Sequence, residues 1–185
     1  MSEGYKSVRE SQTILSELMT PNLANFGGKV HGGTLLSMMD KVAYVCASKH
    51  ASNYCVTVSV DTVDFHHPVE VGEQLSLFAS VNYVGRSSLV VGIKVVAENI
   101  KTGTVRHTNS SFFTMVAMNQ NHEPASVPGL ILETKDEVRR FAEALLRKKL
   151  KKEKDEAFSK LRKKVLDEHD MSILENENCE VRWQD

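Results

Sequence analysis

The sequence predicts an α+β fold: an antiparallel sheet with one long helix laid on it, then a charged helical extension. Three observations predict it. One stretch of the first 132 residues has helical periodicity, four β-rich runs follow it without an intervening helix, and charge density changes abruptly after residue 132. Four consecutive strands without helical crossovers pair antiparallel rather than parallel.

Residues 9–19 are expected to add an edge strand. The helix is expected over 32–50, where Leu35, Leu36, Met39, Val42, Ala43 and Cys46 recur at i, i+3, i+4 and i+7 spacings. It is apolar almost all round, as a helix wrapped by other structure should be. Strands are expected over 55–63, 74–84, 88–99 and 105–118, each dense in Val, Phe, Thr or Ile. Turn signals separate them, among them the Gly85-Arg86-Ser87-Ser88 run. Pro124, Pro128 and Gly129 mark a linker, dividing the chain into 1–132 and 133–185. Past it, 134–166 is helical by composition, with Phe141, Leu145, Leu146 and Leu150 as a thin stripe. The last fifteen or so residues are expected to fray.

The chain has 185 residues, 41% hydrophobic, with a formal net charge of −1. That apolar content excludes a wholly disordered chain, and the charge balance disfavours a nucleic-acid binder. No apolar run is long enough to span a bilayer. The first residues lack the basic-then-apolar pattern of a secretion signal, so a cytoplasmic protein is expected. Three cysteines are too few and scattered for a disulfide framework, and no His, Cys or Asp spacing makes a convincing metal-ligand set. Residues 133–185 hold 28 of the 47 charged side chains. The remaining segment has little charge to cover a monomer's surface, so subunit interfaces are expected.

The informative segment is 21–40. A loop with two Asn leads through Gly27–Gly28 to His31-Gly32-Gly33, which opens the helix, and Asp40 sits among apolar neighbours. The first amides of a helix are unpaired donors at the positive end of its dipole, suited to hold a developing oxyanion. A carboxylate flanked by Met38, Met39, Val42 and Ala43 is costly if buried alone, so it must be partnered, exposed or catalytic. Asp40 lies two turns past Gly33, about 10 Å along the axis, too far to act on a carbonyl held at its own helix start. Two such helices packed antiparallel across a dimer bring Asp40 of one chain to the Gly32 and Gly33 amides of the other.

The run from Asn25 to Asp40 resembles the acyl-CoA hydrolase branch of the hotdog-fold thioesterases, bacterial and animal. The segments 55–61, 84–89 and 106–115 resemble the same branch, so the likeness covers roughly 10–120. It implies a sheet wrapped around one helix, a homodimer with two sites at its interface, and often a homohexamer built as a trimer of dimers. It also implies catalytic roles for Asn25 and Asp40, contributed by opposite subunits. Loop chemistry alone accounts for Asn22 as well as for Asn25; the resemblance selects Asn25.

The activity expected is therefore thioester hydrolysis of acyl-CoA in fatty acid metabolism. No separate cofactor is implied, since coenzyme A belongs to the substrate. Asp40 acts as general base or nucleophile, Asn25 positions water or the thioester, and Gly32 and Gly33 donate to the oxyanion. His31 either caps the helix or binds substrate. Arg86, Ser87 and Ser88 suit phosphate or pantetheine contact, a loop the family uses near coenzyme A. Arg106, His107 and Thr108 form a polar strand segment expected at an interface or nucleotide pocket. Basic residues of the tail, Arg139 and Arg140 among them, read as a solvated helix face before a ligand contact. Cys46 and Cys55 read as core thiols. The competing readings are a non-catalytic acyl-CoA sensor or scaffold and a hotdog dehydratase.

Overall fold

The protein's architecture was taken from a computed structural model, which describes residues 4–167, Leu174, 176–180 and Arg182. Packing divides the chain into Met1–Ala144 and Leu145–Asp185. The first unit runs β1 (Tyr5–Ser7), α1 (Val8–Ser11), β2 (Thr13–Leu18), α2 (Gly32–Ala51), β3 (Tyr54–Val60), β4 (Glu73–Val84), β5 (Ser88–Asn99), β6 (Thr104–Met118), β7 (Gly129–Ile131) and the start of α3 (Lys135–Asp167).

Strand alternation builds the core. Leu75, Leu77, Ala79 and Val81 of β4, Val91, Ile93, Val95 and Ala97 of β5, and Phe113, Met115 and Ala117 of β6 all face inward. They meet Leu35, Met38, Met39, Val42, Ala43, Cys46 and Ala47 of α2. The five-stranded sheet has the order β2-β4-β5-β6-β3 and is antiparallel throughout. Extra residues at Thr57/Ser59, Val81/Tyr83 and Val95/Val96 break its register, and such bulges bend strands and raise twist. The sheet curls around the helix, as expected.

Both ends of α2 are tied. His31 Nδ1 accepts from the Gly33 amide at 2.9 Å. At the other end Lys6 Nζ donates to the carbonyls of Lys49 (3.2 Å) and His50 (2.8 Å), a cation on the negative end of the dipole. His50 is wholly buried, and its Nε2 lies 2.9 Å from Pro128 O, which makes this nitrogen the donor. Burial pushes the imidazole below its ordinary range, and the Lys6 ammonium adds to that, against the Pro128 bond and Glu10.

The edges depart from the sequence reading in three places. Residues 8–11 form the short helix α1, so the edge strand starts only at Thr13, and Ser7 with Glu10 forms the capping box that allows it. β3 ends at Val60 rather than 63, just past its bulge. A small parallel ladder joins β1 to β7, with Tyr5 opposite Gly129. The rule against parallel pairing applies to consecutive strands; here the whole intervening fold serves as the crossover.

The first turns of α3 pack with the sheet unit, so the division by packing falls inside the helix, past the linker at 132/133. Ala144 is buried, and the Phe141 ring sits 5.2 Å from that of Tyr83. In the second unit α3 continues to Asp167 with Leu150, Phe158 and Leu161 exposed and i,i+4 pairs such as Lys152–Glu156. The expectation of fraying at the chain end falls largely outside the described residues. Among the described residues no helix is long and apolar enough to cross a membrane.

The buried His50 gives the fold an acid-side liability. Below the ordinary imidazole range the unfolded chain binds a proton that the folded one resists, so unfolding free energy falls as pH drops through that window. Urea titrations across that range should show a weaker pH slope in His50→Gln, which keeps a donor for Pro128 without a titrating ring.

Candidate active site

Two clusters of the expected residues form on α2, one at its start and one at its middle. At the start, Pro21–Leu23 makes a 3-10 turn and Asn25 organises the loop that follows. Asn25 Oδ1 accepts from the amides of Gly27 (2.9 Å) and Lys29 (3.2 Å). That fixes the carboxamide: Oδ1 faces the loop, and Nδ2 remains as the outward donor. Gly28 closes the turn at φ 74, a left-handed conformation that glycine adopts without strain. Lys29 is held by Glu70 at 2.7 Å, and the Phe65 ring lies against Gly32.

The helix-start amides are not equivalent. Gly33 donates to His31, which therefore acts as the N-cap, whereas the Gly32 amide has no partner among the described residues. The sequence expectation of two free oxyanion donors is corrected to one. His31 takes the second because a Cβ-free Gly33 lets its ring fold back over the amide.

At the middle of α2, Asp40 is exposed, and its Oδ1 accepts from Thr57 Oγ1 of β3 at 2.6 Å. It is thus neither buried nor unpartnered. Thr57 also approaches Met115 Sδ at 3.2 Å, which holds its side chain on the helix side of the sheet. Around this pair lies an uncovered apolar surface: Leu36 and Tyr44 one turn away on α2, and Tyr54, Val58 and Val60 on β3. β3 is a sheet edge with free backbone groups. Sequence reasoning missed Thr57, whose hydroxyl looks like any β-branched strand residue until the pairing of β3 with β6 places it under α2.

The turn Gly85–Ser88 belongs with this second cluster. Thr57, Met115 and Leu89 lie in one row across the sheet, so Ser88 sits about 10 Å from β3. The turn is tight, Gly85 N donating to Ser88 O at 2.7 Å. Arg86 projects from it exposed, and Ser87 and Ser88 are half-buried.

Arg106, His107 and Thr108 belong to the other end, about 23–30 Å along β6 from Met115. Two of the three are already occupied. Arg106 pairs with the buried Glu73 at 2.5 Å, neutralising a carboxylate that would otherwise be stranded. Thr108 is wholly buried because the bulge at Val95/Val96 turns it inward, and its hydroxyl donates to Asn109 Oδ1 at 3.0 Å. His107 alone stays exposed, 2.9 Å from Ser110 Oγ and ring to ring with His66 at 6.5 Å. Arg139 and Arg140 pair with Asp136 and Glu143 on their own helix. Cys46 is pushed up to about 12 by burial and Cys55 is raised for the same reason, so neither is a nucleophile.

The curled sheet, its single helix and the amide-rich helix start define a hotdog thioesterase-type protein, and a family model described as Thioesterase superfamily matches residues 27–104. The chain is 46% identical to protein VdlD of Helicobacter pylori, over 76% of this chain and 80% of that one. It is 34% identical to the protein named uncharacterized acyl-CoA thioester hydrolase YkhA of Bacillus subtilis, over 70% of this chain and 76% of that one. An apo-hexameric acyl-CoA thioesterase superposes with a TM-score of 0.80 at 36% identity, over 82% of this chain and 97% of that one. An acyl-CoA hydrolase of Staphylococcus aureus, solved with butyryl-coenzyme A, coenzyme A and coenzyme A disulfide, superposes with a TM-score of 0.77 at 28% identity, over 87% and 98%. The same hydrolase has been solved with an Asn, an Asp and a Thr each replaced by Ala, at positions spaced as Asn25, Asp40 and Thr57 are here. This chain belongs to the acyl-CoA thioesterase family of hotdog proteins.

Because His31 caps α2, His31→Ala should lower stability by about 0.5–2 kcal/mol in urea denaturation at fixed protein concentration.

Proposed function

We propose that the protein hydrolyses acyl-CoA to a free fatty acid and coenzyme A at a site shared by two subunits. The observation that carries this reading is the separation of the two clusters. Gly32 and Asp40 lie eight residues apart on one rigid helix, about 12 Å, so neither can serve a carbonyl held by the other in the same chain. Antiparallel packing of two α2 helices about a two-fold axis closes that gap twice over. The uncovered Leu36, Tyr44, Tyr54, Val58 and Val60 around Asp40, and the free edge of β3, are the surface such a dimer would bury. The hexameric thioesterase among the structural neighbours supports a trimer of such dimers. The three free cysteines accord with a cytoplasmic setting.

Acyl-CoA as substrate is supported by family membership and by the ligands of the Staphylococcus aureus hydrolase. Thr57 holds Oδ1 of Asp40, which leaves Oδ2 to take a proton from water as the oxygen attacks the thioester carbonyl. The partner chain supplies the Gly32 amide and the Asn25 Nδ2 as donors to the oxyanion. Collapse breaks the carbon–sulfur bond, and the proton held by Asp40 goes to the departing sulfur. Water plus thioester thereby become acid plus thiol. Direct attack by Asp40, with an anhydride opened by water, uses the same groups. Arg86, Ser87 and Ser88 lie beside the Asp40 cluster and suit the phosphate or pantetheine of coenzyme A.

Asp40→Asn and Asn25→Ala should each lower kcat/KM by about 100-fold or more in a thiol-release assay. Thr57→Val should lower kcat with little change in KM, since it touches the carboxylate rather than the substrate. Near-normal rates in folded Asp40→Asn would reject the assignment. The shared site has its own test: mixing Asp40→Asn with Asn25→Ala chains under subunit exchange should recover about a quarter of wild-type sites. Each hybrid dimer then has one intact site and one doubly altered, whereas a single-chain site would recover nothing.

A further inference from the structure

The face of the sheet turned away from α2 carries a cavity of about 440 Å³, within the range of small-molecule sites. Its floor follows from strand register. Ile14, Phe78, Lys94 and Ser110 form one row across four strands, and Ser80, Gly92 and Phe112 form the next. The first turns of α3 supply Arg139, Arg140 and Glu143 as one wall. None of these residues belongs to either cluster of the proposed hydrolytic site.

Two polar groups in this cavity have nothing to bind. Asn82 is only 5% exposed; its Oδ1 accepts from Ser80 Oγ at 3.1 Å, but its Nδ2 has no acceptor among the described residues. Gly92 opposite makes the room, because a side chain there would overlap the Asn82 carboxamide. With no acceptor from the described residues, that N–H is left to donate to whatever occupies the cavity, water or ligand. Lys94 is the second: its ammonium has no ion-pair or hydrogen-bond partner among the described residues. The remaining charge is compensated in place, since Arg139 pairs with Asp136 and Glu143, Arg140 pairs with Asp136, and Arg140 also reaches Ser80 Oγ at 3.3 Å. Three cations stand against two carboxylates, leaving one positive charge. His107 lies at the rim through Ser110.

One uncompensated cation, one N–H donor without an acceptor among the described residues and a floor of Ile14, Phe78 and Phe112 describe a ligand with a single negative charge and an apolar body. A polyphosphate would need more cations than this wall leaves free. We propose that the cavity binds a fatty carboxylate, its head between Lys94 and Asn82 and its chain across the two phenylalanine rings. On the hydrolase reading such a molecule is the reaction product, which makes this a second, non-catalytic site for product on each subunit.

The full-length protein, labelled at isoleucine methyls, reports on the cavity directly, because the Ile14 side chain lies in its floor. Titration with decanoate should shift the Ile14 methyls saturably. Lys94→Met and Asn82→Leu should each weaken that binding about tenfold or more while leaving Asp40-dependent hydrolysis intact. Decanol, ADP and inorganic phosphate should each bind at least about tenfold more weakly than decanoate. An unmoved Ile14 methyl, tighter binding of ADP, phosphate or decanol, or unchanged affinity in folded Lys94→Met would each overturn the proposal. The readout needs no turnover: saturable decanoate binding in a protein that fails to release thiol would leave the site standing and remove only its identity as a product site.

Discussion

Everything about the proposed chemistry depends on one rigid length, the stretch of α2 between its amide-bearing start and Asp40. A helix rises about 1.5 Å per residue and does not shorten, so the two groups are held apart as firmly as by a covalent spacer. That rigidity is maintained from both ends, by the His31 cap and by Lys6 on the terminal carbonyls. It is maintained along the length by packing, since Met39, Val42, Ala43, Cys46 and Ala47 have almost no exposed surface. A flexible segment would let one chain fold its acid back on its own donors. The proposed chemistry on this helix therefore calls for a second chain.

The surroundings of Asp40 make sense on the same basis. Within one subunit the carboxylate is exposed and held by Thr57, so the fold bears little cost for it. Covered by a second apolar surface, it would lose water and keep the Thr57 hydrogen bond. In the proposed assembly, stability of the subunit and reactivity of the site would thereby be separated, desolvation coming only with the step that also brings the donors.

Much of this was legible in the sequence, and the failures have physical causes. Periodicity placed α2 to within a residue and β4, β5 and β6 to within one or two, because one long helix and long alternating strands repeat their pattern many times. Asp40 stood out as a charge among apolar residues. Thr57 did not, since its meaning comes from a partner 17 residues away. The partners of Thr108 and Arg106 within the subunit were hidden for a related reason. A polar residue in a strand looks available until a bulge or a buried Glu73 claims it, and neither has a local signature. The same holds for β1 and β7, three residues each, whose pairing depends on a contact closed by the entire unit.

The sheet itself explains why a second site is physically reasonable on so small a frame. Strand alternation gives every sheet two faces, and here the inner one is committed to α2 through apolar residues, Leu, Val, Ile, Phe, Met and Ala. The outer face is freed from core packing and carries Ser76, Ser80, Asn82, Lys94 and Ser110 instead, polar groups that an apolar layer would have to exclude. Gly92 belongs to this pattern: on the inner face a missing side chain would leave a hole beneath the helix, whereas on the outer face it admits Asn82. Because the faces share a backbone and no side chains, residues on one can be altered without repacking the other. That independence lets binding at the Lys94 cavity be tested apart from the hydrolytic chemistry.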